Sequence, residues 1–111
     1  MKGKGIYVSG MGVVSALGIG VDSQLAALKE GRSGVGKMQL LPSVHQELPV
    51  GEVKLGNDEL CALLGLKCDD QIPRTALLEA VAVREALSMA GIEKDSPSKI
   101  ALVSGTTVGG M

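Results

Sequence analysis

The segment Thr75 to Ala90, TALLEAVAVREALSMA, constrains the fold more than any other part of the chain. It carries the pattern of a strong helix, with Gly91 just past its end as a stop signal. On a helical wheel Leu77, Leu78, Val81, Val83, Leu87 and Met89, with alanines between them, cover almost the full circumference. Glu79, Arg84 and Glu85 interrupt this surface without making one clean polar face, and are read as a helix-surface salt network. Such a helix is buried on more than one side. A chain of 111 residues has too little protein to cover it, which points to layers lying outside these residues.

Two apolar runs frame the helix in sequence. Gly5 to Ser9, GIYVS, reads as a first strand with little polar alternation, as for a strand covered on both faces. Lys99 to Ser104 reads as a second. Strand, helix, excursion, helix, strand predicts a parallel pair joined by a long right-handed crossover, so the expected class is α/β. Between them, Ser15 to Gly18 reads as a loop. Gln24 to Glu30 reads as a short amphipathic helix with Leu25, Ala26 and Leu28 as its apolar stripe, capped by Asp22 or Ser23 and stopped by Gly31. From Gly31 to Pro73 the pattern is irregular, with a short strand expected at Val50 to Leu55. A brief helix, capped by Asn57 or Asp58, is expected to run to Leu64. This stretch is read as a surface excursion without chemistry of its own.

The composition is globular, 45% hydrophobic and 21% charged, yet the chain has no Phe, no Trp and one Tyr, Tyr7. Large aromatic rings each contribute a big buried area, so their absence leaves a small core short of stabilisation. The closing segment, KIALVSGTTVGGM, reads as a buried strand entering a Gly-rich turn. A terminus at Met111 inside such a loop is expected of a cut through a larger domain, with residues 1–111 as its N-terminal part. The net charge is −1, with no basic run and no interleaved aromatics, which argues against a nucleic-acid partner. No apolar stretch has the length of a membrane span, and the N-terminus lacks the continuous apolar run of a signal peptide. Cytoplasm is the expected compartment. Cys61 and Cys68 have no second Cys or His pair at zinc-ligand spacing and read as ordinary thiols; no cofactor is expected.

Candidate chemistry is sparse. Gly10-Met11-Gly12-Val13-Val14-Ser15 half resembles a dinucleotide fingerprint, but its third glycine is a serine, no helix starts at once and no acidic residue ends a second strand about 20 residues on. His45, the only histidine, has no Ser, Cys or Asp pattern around it and reads as an exposed loop residue. No nucleophile, base and orienter can be assembled. The terminal SGTTVGG lies at the carboxyl end of an expected parallel strand, where open α/β sheets place ligands. A ligand loop and a plain strand-to-loop turn both fit it.

Four segments together carry a family resemblance. IYVSGMGVVSALG resembles the first strand and loop of the β-ketoacyl-acyl carrier protein synthases, the condensing enzymes of fatty acid and polyketide synthesis. LAALKEGRSGVGKM resembles their first helix and following turn. PRTALLEAVAVREALSMAGI resembles their Ala-rich helix, and IALVSGTTVGGM resembles the strand and Gly-rich loop after it. The four lie in the family's order and span most of the chain; about Leu40 to Asp70 matches poorly.

The resemblance implies a partial thiolase-like fold, parallel strands with crossover helices in an incomplete domain, within a protein that assembles as a homodimer. It implies an acyltransferase: a cysteine takes an acyl group from a carrier-protein thioester, then two histidines help a malonyl thioester decarboxylate and attack it. That chemistry needs a lowered-pKa thiolate and an oxyanion hole. The implied partners are acyl carrier protein and acyl and malonyl thioesters. The implied catalytic residues lie beyond the Gly-rich loop, so none is in this chain, and neither Cys61 nor Cys68 occupies the nucleophile's motif. By the same resemblance Val108, just before the Gly-Gly of the loop, lines the acyl pocket, with Thr107 beside it. The rival readings are a non-catalytic, chain-length-determining partner that works in a heterodimer, and a small free-standing binding domain.

Overall fold

The computed structural model describes residues 3–69 and 71–107. Its regular elements, in chain order, are β1 (Val14–Ser15), β2 (Gly18–Ile19), α1 (Val21–Lys29), α2 (Asn57–Leu64) and α3 (Arg74–Met89). β1 and β2 form a small antiparallel ribbon with Val14 opposite Ile19 and Ser15 opposite Gly18, where the sequence suggests only a loop. Ser15 holds the turn: its Oγ accepts the Leu17 N–H at 3.1 Å and donates to Gln24 Oε1 at 2.6 Å. Gln24 Nε2 in turn donates to Gly18 O at 2.8 Å, which ties the ribbon to α1.

All three helices end in the same way. Gly31, Gly65 and Gly91 adopt φ of 64°, 69° and 67°, the left-handed region open to a residue without Cβ. In each case the next residue's N–H reaches back into the last turn: Arg32 to Ala27 O, Leu66 to Cys61 O and Ile92 to Leu87 O, at 2.8, 2.9 and 2.9 Å. These bonds satisfy carbonyls that a helix end otherwise leaves unpaired.

The helix starts depart from expectation. α1 begins at Val21 behind Gly20, and neither Asp22 nor Ser23 makes a side-chain cap. Glu85, from the middle of α3, takes that role instead: its Oε1 accepts the Val21 N–H at 2.8 Å and its Oε2 accepts the Val13 N–H at 3.0 Å. A carboxylate at a helix N-terminus is favoured by the dipole and by the unpaired donors there. α2 begins behind Gly56, whose N–H donates to Glu59 Oε2 at 2.8 Å; Gly56 has no side chain to return the bond, so only half of a capping box forms.

The core is small and sits between α2 and α3. Leu60, Cys61, Leu77 and Val81 form it, with Val14, Ile19, Leu55, Leu64, Ile72 and Leu78 packed around. The other flank of α3 meets the chain before β1. A Cβ at Gly10 would overlap the Ala86 carbonyl oxygen, and one at Gly12 the Ala82 carbonyl oxygen, so backbone lies directly on helix there. α3 is therefore packed on two sides, as its apolar circumference predicts. The expected salt network on it does not form among the described residues: Glu85 accepts backbone N–H groups, and Arg84 donates to Leu63 O. The stripe assigned to α1 also needs correction. Leu25, Ala26 and Leu28 are exposed and Ala27 is the residue buried, because the Glu85 and Gln24 bonds set the rotation of the helix.

Residues 5–9 and 99–104 belong to no strand, and no backbone hydrogen bond links them. Ile6, Tyr7, Val8, Leu102 and Val103 are exposed. Between α1 and α2 the expected strand at Val50 to Leu55 is reduced to one antiparallel bridge, Gly36 to Val50. No helix is long and apolar enough to cross a membrane among the described residues.

Candidate functional site

The segment after Leu102 packs near the first turns of α3. Thr75, Leu78 and Glu79 from the helix and Val103, Ser104, Gly105 and Thr106 from the segment line an open cavity of about 410 Å³. Leu78 and Val103 are the apolar residues of this lining, and Thr75, Glu79, Ser104 and Thr106 the polar ones. Thr107 follows in a bend and is exposed. Val108 lies outside the described residues, so of the two residues expected to line an acyl pocket only Thr107 can be placed, next in sequence to the lining residue Thr106.

A second cavity, about 410 Å³, lies between the excursion and α3, lined by Leu40, Leu41, Glu52, Asn57 and Arg74 among others. Both of its charged groups are already engaged. Arg74 Nη1 donates to Asn57 Oδ1 at 3.0 Å and Nη2 to Val53 O at 2.8 Å. Glu52 accepts the N–H groups of Gln39, Leu40 and Leu41 at 2.7, 3.0 and 2.8 Å, with Lys54 Nζ 3.6 Å away. Burial pushes the Glu52 carboxyl upward, but the three donors and the Lys54 ammonium outweigh it and hold the group below its ordinary value. This is a structural hub that shapes the excursion.

The remaining candidates resolve in the same residue-by-residue way. His45 is exposed, with Nδ1 3.3 Å from Glu47 Oε1, as expected of a loop histidine. The glycines of the partial dinucleotide fingerprint lie on α3 and open no helix. The first helix after them has its N-terminus occupied by the Glu85 carboxylate, which would repel a phosphate. No cluster of three or more His, Cys, Asp or Glu side chains able to hold a metal ion is present among the described residues. Cys61 and Cys68 are brought together, with Sγ atoms 2.7 Å apart, a proximity the spacing alone did not signal. The cue was Gly65 between them, since a left-handed cap turns the chain back along the helix it ends.

Set against protein-family models, curated proteins and solved structures, the chain finds no match in any of the three.

Proposed function

We propose that this chain is the N-terminal part of a β-ketoacyl-acyl carrier protein synthase, which extends an acyl thioester by decarboxylative condensation with a malonyl thioester. The reading rests on the four segments that resemble that family in order. One structural observation carries it further: Gly10 and Gly12 lie against the Ala82 and Ala86 backbone with no room for a Cβ. The Gly-x-Gly after the first apolar run and the Ala-rich stripe of α3 thus serve one packing contact, joining two of the resembling segments.

In this reading the exposed runs at 6–8 and 100–103 are strands of a thiolase-like sheet. Residues of the parent protein outside this chain pair with them and carry the cysteine and the two histidines. The groove lined by Val103 to Thr106 is the near edge of the acyl pocket. The chain by itself is expected to be inactive, because neither Cys61 nor Cys68 occupies the family's nucleophile motif.

Intact-mass measurement of the protein that carries this chain, before and after incubation with a long-chain acyl thioester, tests the reading. One acyl adduct is expected. A larger protein that takes up nothing would replace the enzyme with a non-catalytic, chain-length-determining partner. A protein of these residues alone that takes up nothing would end the condensing-enzyme reading. In the active enzyme, Val108→Phe is predicted to shift product profiles toward shorter acyl chains, since a larger ring fills pocket volume; an unchanged profile would remove Val108 from the pocket.

A further inference from the structure

We propose that Cys61 and Cys68 are an oxidation site, a dithiol that closes to a reversible intramolecular disulfide and clamps the turn at the end of α2. The geometry points to it from both sides of the Gly65 cap. Cys61 lies within the last turns of α2, buried against Leu60, Leu77 and Val81. Gly65 then reverses the chain, Leu66 N–H closes onto Cys61 O at 2.9 Å, and Cys68 returns along the helix until the two sulfurs stand 2.7 Å apart. Both are free thiols, and their sulfurs share a hydrogen bond. Among the described residues no metal-binding cluster competes for them. Disulfides that form in a reducing compartment are usually transient, and catalytic or redox-sensing.

The two thiols differ in access, and that sets the order of events. Cys61 is buried and Cys68 is exposed, so a small disulfide such as glutathione disulfide meets Cys68 first. The Cys68 thiol gives its proton to water, and its sulfur attacks one sulfur of the small disulfide. A mixed disulfide forms and one glutathione thiolate leaves. Cys61 then loses its proton and attacks the Cys68 sulfur, which forms the internal S–S bond and expels the second glutathione thiolate. The cysteines give up two electrons and two protons; glutathione disulfide takes the electrons and becomes two molecules of glutathione. The first step is slow, because the hydrogen bond shared with Cys61 holds the thiol proton and, with desolvation and the nearby Asp58, pushes the Cys68 thiol up to about 12. The second is fast, because the attacking sulfur is already in place. The mixed disulfide therefore does not accumulate.

The test uses the full chain equilibrated in glutathione redox buffers, quenched by thiol alkylation and digested with trypsin without reductant. Cleavage after Lys54, Lys67 and Arg74 puts Cys61 on peptide 55–67 and Cys68 on peptide 68–74. The expected product is these two peptides joined, within a monomeric protein lighter by two hydrogens. Because the fold presents the thiols to each other, the closing equilibrium constant is expected to be at least about tenfold larger in native buffer than in urea, about 30 mV for a two-electron couple. Cys68→Ser, an exposed and near-isosteric change, removes the linked product and serves as the folded control. Both thiols still alkylated under oxidising buffer would overturn the proposal. So would glutathione retained on Cys68, cross-links between molecules, or the same constant in urea as in native buffer.

Discussion

Glu85 joins two segments distant in sequence through one carboxylate, accepting the Val13 N–H with one oxygen and the Val21 N–H with the other. Glu85→Gln keeps the shape but turns one acceptor into a donor facing an N–H. It is predicted to cost about 1–3 kcal/mol of local stability, read as faster hydrogen exchange in the first turn of α1 with α2 unchanged. Equal exchange in α1 before and after the change would remove Glu85 from that role. Glu52 gives a pH-dependent counterpart. Its folded-state pKa is lowered, so its contribution to stability is fully present above the unfolded value and is lost as pH falls through the folded one. Acidification below the ordinary glutamate range, about pH 4, is therefore predicted to loosen the Gly36–Val50 bridge. Glu52→Gln should show the loosened state already at neutral pH, with the acid transition gone; an acid transition that survives the change would assign it to another carboxylate.

Among the elements, the helices were the most legible. Apolar spacing and the glycines at 31 and 91 marked α1 and α3 within a few residues, because a residue in left-handed conformation directly after a periodic segment is a local signal. Gly31, Gly65 and Gly91 have open space where a Cβ would stand, so only backbone strain opposes a substitution. Gly91→Ala is predicted to cost about 1–2 kcal/mol, with Gly91→Asn less, measured as the thermal midpoint of the protein. A neutral Gly91→Ala would contradict the left-handed cap. The start of α1 was not legible, since its cap comes from a residue far along the chain. Its exposed face was misread for the same reason: Leu25 and Leu28 have the spacing of a stripe, but the bonds of Gln24 and Val21 turn them outward. The groove beside Thr107 could not be drawn from sequence either, because periodicity says nothing of which turn of α3 the segment 103–106 approaches.

For the whole molecule, the described fold is more open than a compact domain of its size. The surface is 8878 Å², against about 5,700 Å² for a compact monomer of this mass. The radius of gyration is 16.7 Å, against roughly 13 Å for a compact domain of this length. Only Ala27, Leu60, Cys61, Leu77 and Val81 are buried among the described residues, while Ile6 is 100% and Val103 93% exposed. Extended apolar runs gain little by themselves; a strand becomes stable when neighbours satisfy its backbone and cover its faces. That is why two runs that read as paired strands in the sequence stand here without a sheet. The proposed layered synthase supplies both neighbours and cover. Hydrogen exchange of the native protein that carries this chain tests this most directly, read at the amides of residues 5–9 and 99–104. Slow exchange at both runs, matched to that of α3, is the predicted result. Exchange at the rate of an unstructured peptide would show that no sheet forms there, and would contradict the thiolase-like account.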